Sequence, residues 1–397
     1  MNILFLSMSR LDKISSRGIY PDLLRYIRDK GHQIWLVSPR ERSLGLPTGM
    51  RDVDGIHILG VRTLNLQKTN AIEKGLGQLL VEFQFRNAIR KYLDEIPFDL
   101  IIYSTPPITF PKAILYAKRK NPSARSYLLL KDIFPQNAVD LGMMSKGLLY
   151  RYFRRKEKEL YRISDHIGCM SPANVAYLLE HNGDIPRSKV EIAPNSIELV
   201  ESPRGEKAVL REKFGLPKDC PIFLYGGNLG KPQGIPFLIE CLEANSKRKD
   251  CHFVVIGNGT ELPKMKRWFE ESAPESVTVM GRLPKEEYDA LVSACDVGLI
   301  FLDHRFTIPN FPSRLLPYLE NKMPVIAVTD PNSDTGKIAE ENGYGYWCES
   351  NSVEAFSATV DKMLLSDREK MGERGYAFLC SHYLVQNTYD AIMKHFV

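Results

Sequence analysis

The 397 residues amount to two or three domains at about 150 residues each. Hydrophobic residues make up 44% and charged residues 25%, which excludes a disordered, collagenous or disulfide-stapled chain. With 53 basic against 48 acidic side chains, the net +5 argues against a nucleic-acid binder unless the excess is concentrated somewhere.

The opening MNILFLSMSRLD reads as a strand over 2–7 rather than a signal peptide: it lacks a basic leading segment, and Ser7, Ser9 and Arg10 break the apolar run. A polar loop through Arg17-Gly18, a helix over 19–30, the break Gly31-His32 and a strand over 33–38 complete one βαβ unit. Apolar runs at 99–104, 126–130, 166–170 and 190–193, each beside a helical segment, carry the pattern to about residue 195. A polar stretch follows over 198–218, punctuated by Pro203, Gly205, Gly215 and Pro217. Strands are then predicted at 222–226, 252–256, 277–280, 297–302 and 324–328, with helices such as 235–245 and 286–295 between them. The expected architecture is α/β: two Rossmann-like domains with mostly parallel sheets, over 1–200 and 201–382. The last helical stretch, 383–396, has no strand after it and can pack on either half.

The seven cysteines show no CxxC pattern and read as reduced thiols of a cytoplasmic chain. The eight histidines show no ligand spacing and no DxD-like cluster is present, so neither a metal nor a cofactor is expected. No run approaches the about 18 apolar residues of a membrane span, which leaves only peripheral membrane contact.

In such folds ligands bind at the strand-to-helix loops, and with two halves the cleft between them is the expected site. The loop Gly226-Gly227-Asn228-Leu229-Gly230-Lys231-Pro232-Gln233-Gly234 joins a strand to a helix, so its amides and Lys231 suit an anionic ligand; the same glycines also suit a tight turn. It is neither a Walker loop nor GxGxxG, which weakens a nicotinamide enzyme. In Asn310-Phe311-Pro312-Ser313-Arg314, Pro312 suits a first helical turn, Ser313 can cap it or contact a ligand, and Arg314 supplies a forked charge, or is simply solvated. Asp132 follows the strand at 126–130, either on the cleft side of the first half or as an ordinary turn residue. Residues 146–162 hold seven basic and two acidic side chains, the whole of the net +5. On a helix, Arg151, Arg155, Lys158 and Arg162 form one stripe, with Arg154 close by. That pattern fits a surface facing anionic lipid, or a core-facing helix with a solvated back.

Across nearly its whole length the chain resembles the GT-B retaining glycosyltransferases of family four, particularly the branch that builds capsule and O-antigen polysaccharides. The resemblance rests on Arg17-Gly18, Gly31-His32, Met170-Ser171-Pro172, Pro194-Asn195-Ser196, the GGNLGKPQG loop, Ile256-Gly257-Asn258-Gly259, Met280-Gly281-Arg282, the PNFPSRLL segment and Pro324-Val325-Ile326-Ala327, in that order. It implies a nucleotide-sugar donor, UDP-linked, held mainly by the C-terminal half: Gly227, Asn228, Asn310, Phe311, Pro312 and Ser313 at the diphosphate, and Gly281 and Arg282 at the base. Arg17 and Gly18 would complete the donor site, the acceptor would approach the N-terminal half, and the last helix would cross back to that half. If the basic helix meets the membrane peripherally, through Arg151, Arg154, Arg155 and Lys158, the expected acceptor is a lipid-diphosphate-linked saccharide at its inner face. Asp132, Lys231 and Arg314 are the expected catalytic residues. Two departures stand out. The Glu-x7-Glu pair of the family is replaced by Pro309 and Pro317, and the GRLxxxKG loop has Asn228 for its Arg and Gln233 for its Lys. The Asn-Leu-Gly-Lys-x-Gln spelling is similar to that of UDP-N-acetylfucosamine-type transferases. The rival readings are a UDP-N-acetylhexosamine epimerase of similar fold and a non-catalytic subunit that binds nucleotide sugar or lipid.

Overall fold

The computed structural model describes every residue except Asp12, 67–70, 201–204 and Val397. It divides into two compact units, Met1–Glu198 with Leu384–Val397, and Leu199–Tyr383. Pro203 and the sequence boundary after residue 200 fall at 201–204, outside the described residues.

In the first unit the strands are β1 (Asn2–Leu6), β2 (Gln33–Glu41), β3 (Gly49–Val53), β4 (Ile56–Thr63), β5 (Leu100–Ser104), β6 (Arg125–Leu130), β7 (His166–Cys169) and β8 (Val190–Ile192). They lie in the order β3-β4-β2-β1-β5-β6-β7-β8, parallel except for the antiparallel β3–β4 pair at one edge. Alternation along β1 sends Leu4 and Leu6 into one core with Phe85 and Phe110, and Ile3 and Phe5 into the other with Leu24 and Ile102. Both faces of the central strands are therefore covered by helices, the condition under which near-continuous apolar strands are stable. The C-terminal helix Val385–Met393 belongs to this unit. Its Val385, Ile392 and Met393 join the second of these cores, and Thr388 Oγ1 donates to the Pro194 carbonyl at 3.0 Å.

The second unit carries β9 (Ile222–Asn228), β10 (His252–Asn258), β11 (Val277–Met280), β12 (Val297–Phe301), β13 (Val325–Thr329) and β14 (Gly345–Glu349). All are parallel, in the order β11-β10-β9-β12-β13-β14. Because β9 has β10 on one side and β12 on the other, the order reverses there. Loops leaving the carboxyl ends of β9 and β12 diverge at such a point and leave room for a ligand.

Both units have the doubly wound α/β form expected from the alternation of apolar runs. The β3–β4 hairpin, strand β14 and the helix Lys207–Lys213 within the polar stretch after residue 198 differ from expectation. That helix is held by Arg211, which donates to the Ala294 carbonyl at 3.0 Å and pairs with Asp296 at 2.5 Å.

Candidate functional site

The loops after β9 and β12 meet at the reversal point, where the Asp303 amide donates to the Pro232 carbonyl at 3.0 Å. The Gly226 amide donates to the Tyr318 hydroxyl at 2.9 Å, and a Cβ at Gly226 would collide with the Tyr288 hydroxyl. Gly227 has a φ of 129°, a conformation that L side chains rarely adopt, and its Cβ position lies 3.6 Å from the guanidinium carbon of Arg314. Small residues here let a ring and a guanidinium close directly on the backbone.

Arg314 is the centre of this arrangement. Its guanidinium carbon lies 4.5 Å from the centroid of the Tyr225 ring, and its Nη1 is buried with no hydrogen-bond partner. Among the described residues no carboxylate pairs with it. Cation–π attraction offsets part of the desolvation, but a buried guanidinium N–H left unbonded is costly, and an anion would remove that cost. Next to it Gly227, Gly257, Asn258, Arg282, Lys285 and Tyr288 border a hollow of about 440 Å³, within the range of small-molecule sites. Burial pushes the Tyr288 hydroxyl up to about 12, so it stays a neutral hydrogen-bonding group.

The other sequence-derived residues of this unit are placed as follows. Asn228 donates its amide to Gln233 Oε1 at 3.0 Å, and the Gly230 amide donates to the same oxygen at 3.2 Å. The two residues that depart from the family loop thus bond each other. Lys231 starts a single 3-10 turn, is exposed, and does not border the hollow. Gly281 and Arg282 are exposed at the end of β11, Arg282 on the rim. The Asn310 amide donates to Ser333 Oγ at 3.0 Å, and buried Phe311 packs on Tyr383 with ring centroids 5.7 Å apart. The helix expected to open at Pro312 opens at Leu315 instead, and Ser313 does not cap it: its carbonyl accepts from the Leu316 amide, while its side chain faces solvent.

In the first unit, Arg17 Nη2 donates to the Glu198 carbonyl at 3.3 Å, and the Gly18 amide donates to Asp22 at 2.9 Å at the start of helix Ile19–Asp29. Asp132 sits just past β6. Thr105 Oγ1 accepts from the Lys131 amide at 2.9 Å and the Asp132 amide at 3.1 Å, while Asn137 donates to Asp132 Oδ1 at 2.8 Å. Burial pushes the Asp132 carboxyl up to about 6, against the lowering effect of the Ile133 amide and Asn137. Its neighbour Lys131, which sequence reasoning passed over, donates to the Ala193 carbonyl at 2.8 Å, and burial brings it down to about 7. One loop thus holds an acid and a base that both titrate near neutrality.

Residues 21–201 match the family model Glycosyltransferase Family 4, and residues 206–378 match Glycosyl transferases group 1, so each unit has its own model and together they take in most of the chain. The chain carries the two domains of a GT-B glycosyltransferase. It is 26% identical over 322 residues to "Probable glycosyltransferase WbjE" of Pseudomonas aeruginosa, covering 77% of this chain and 75% of that protein. It is 24% identical over 267 residues to "Putative colanic acid biosynthesis glycosyl transferase WcaI" of Escherichia coli K12, covering 64% and 63%. Among solved structures, Anabaena Alr3699/HepE in complex with UDP superposes with a TM-score of 0.67 at 15% identity, covering all of this chain and 99% of the other. At that identity the likeness speaks for the fold.

Within this glycosyltransferase fold the basic segment forms the helix Leu148–Ile163 of the first unit. Arg151, Arg155, Lys158 and Arg162 are exposed along it. Arg154, grouped with them in the sequence, is not: it pairs with Glu157 at 2.5 Å and donates to Asn182 at 2.7 Å and to the His181 carbonyl at 2.9 Å. Among the described residues no helix is long and apolar enough to cross a membrane.

Proposed function

We propose that the chain is a retaining glycosyltransferase that moves a sugar from a UDP-linked donor, an N-acetylated hexosamine or 6-deoxyhexosamine, to a lipid-diphosphate-linked saccharide in surface polysaccharide biosynthesis. The observation that carries this reading is the unpaired Arg314 guanidinium beside Gly227, at the point where the strand order of the C-terminal half reverses. The colanic acid relative and the UDP-bound structural neighbour support the reaction class and the nucleotide.

In the proposed reaction the bond between the anomeric carbon and the β-phosphate oxygen breaks, and its electron pair leaves with UDP. The acceptor hydroxyl oxygen bonds to the same face of that carbon, and its proton passes to a phosphate oxygen of the leaving group. Negative charge builds on the diphosphate as the sugar becomes oxocarbenium-like. Arg314, fixed on Tyr225, meets that charge without reorganising, and Lys231, exposed on the same glycine loop as Gly227, adds a solvated positive charge, so the mechanism calls for no metal. Tyr288, Asn258 and Arg282 border the space for the nucleoside, in a site that lacks the glutamates replaced by Pro309 and Pro317. Asp132, ionised above about pH 6, orients the acceptor hydroxyl or the sugar.

The test is incubation with UDP-sugars, with and without a lipid-linked acceptor, and identification of products by mass. Sugar transfer supports the reading; isomerised donor points to the epimerase, and unchanged donor that still binds points to a non-catalytic subunit.

A further inference from the structure

Asp132 is held from two sides. Behind it, the buried hydroxyl of Thr105, just past β5, is fully used: Oγ1 accepts from the Lys131 and Asp132 amides and donates to the Asp132 carbonyl at 3.1 Å. The Thr105 amide in turn donates to the Leu129 carbonyl at 3.1 Å, so the start of the loop after β6 is tied back to the sheet. On the other side, Asn137 Nδ2 donates to Asp132 Oδ1 at 2.8 Å, and the Ile133 amide also bonds the carboxylate. Asn137 Oδ1 is buried with no hydrogen-bond partner, so this side chain faces Asp132 at the cost of a buried acceptor. The charged neighbours are engaged elsewhere. Lys131 donates to the Ala193 carbonyl, and Glu157, which acts on Asp132 from helix Leu148–Ile163, is paired with Arg154 and accepts from the Tyr161 hydroxyl at 2.7 Å. Among the described residues no cation pairs with Asp132, and Asn137 is the side-chain donor that meets its charge.

We infer that Thr105 and Asn137 are positioning residues for Asp132: Thr105 fixes the backbone from which the carboxylate projects, and Asn137 fixes the direction of its oxygens. The inference rests on the role proposed for Asp132 and adds two residues that act through it rather than on a substrate. Their effects differ in kind. A donor to the ionised carboxylate favours that form, whereas a hydroxyl bonded only to backbone sets a position.

Transfer from a UDP-sugar to a lipid-linked acceptor is followed against pH in the full-length wild type and in Asn137→Leu, Thr105→Val and Thr105→Ser. In Asn137→Leu the acid limb of the profile should move up by about one pH unit, since the ionised form has lost its donor. Thr105→Val should leave the limb in place and lower kcat by up to about a hundredfold at unchanged donor KM, the effect of a misplaced group on a donor held by the other half. Thr105→Ser keeps the hydroxyl and should recover most of that loss. A second arm uses neither donor nor acceptor: melting at pH 8 of Asp132→Asn, Asn137→Leu and the double variant. Asp132→Asn should raise the melting temperature more in the Asn137→Leu background than in the wild type, because a charged oxygen loses more than a neutral one when its donor goes. An unmoved acid limb in Asn137→Leu, full kcat in Thr105→Val, no recovery in Thr105→Ser, or additive melting shifts overturn the inference. No transfer by the wild type counts against the proposed function instead, and the melting shifts then decide the inference by themselves.

Discussion

The guanidinium carbon of Arg314 lies over the ring of Tyr225, 4.5 Å from its centroid, and this contact holds the cation in place without a carboxylate. A carboxylate in that position would neutralise the charge and compete with a diphosphate; an aromatic face holds the cation and leaves its Nη1 without a partner. Replacing Arg314 by Ala is expected to lower turnover by about two to three orders of magnitude, the usual effect of removing one preorganised donor to a developing negative charge. Arg314→Lys should recover little, because a point charge cannot reproduce the stacked fork. Lys231→Ala should have the smaller effect, since Lys231 is exposed and its charge is screened. Steady-state kinetics on the three variants check the order.

Gly226 and Tyr288 form a second test. Gly226→Ala drives a Cβ into the Tyr288 hydroxyl and should destabilise the C-terminal half by about 1–3 kcal/mol, as overpacking does. Tyr288→Phe removes the hydroxyl and should relieve part of that strain, so the double variant is expected to melt above Gly226→Ala alone. Additive losses in thermal unfolding would show that the two positions do not touch.

The bond between Asn228 and Gln233 explains why both departures from the family loop occur together. Asn228→Ala and Gln233→Ala should each cost about 1 kcal/mol in urea unfolding, and the double variant should cost little more than the larger single loss.

Asp132 gives a pH test with a defined sign. Its carboxyl is pushed up to about 6 in the folded chain against 3.8 for a free aspartate, so the stability it contributes is fully present below about pH 3.8 and is lost as pH rises through about 6. Asp132→Asn keeps the oxygen that accepts from Asn137 and removes the buried charge. It should therefore raise the melting temperature at pH 7.5 and lose that advantage near pH 4, while lowering transfer activity. A gain in stability with a loss of activity marks a residue retained for function. In the wild type, activity should fall as pH drops below about 6.

Most of the scaffold was legible because parallel strands buried on both faces are written as short apolar runs. Runs such as Ile222-Phe223-Leu224-Tyr225 and Val297-Gly298-Leu299-Ile300-Phe301 can hardly be anything but central strands. The edge elements were not legible. β3, Gly49-Met50-Arg51-Asp52-Val53, has no buried residue and β14 begins at glycine, so neither shows the apolar signal, although Asp54-Gly55 marks the hairpin turn. At the site, the glycine loop and Arg314 were legible as residues suited to an anion. The tyrosine surroundings of Arg314 were not, since Tyr225, Tyr288 and Tyr318 come from three separate segments that only tertiary packing brings together. The same holds for Arg154, whose partner Asn182 is 28 residues away. Lys131 was passed over because its distinguishing property, burial against the Ala193 carbonyl, is written nowhere in its immediate neighbours.

The most direct test of the donor site is calorimetric binding of UDP and of uridine to the wild-type chain and to Arg314→Ala. The expected result is that the wild type binds UDP far more tightly than uridine and that the variant loses most of that difference, because the diphosphate is what Arg314 holds. Wild-type affinity for UDP in Arg314→Ala, or equal affinity of the wild type for uridine and UDP, would contradict the assignment of the buried guanidinium to the leaving diphosphate.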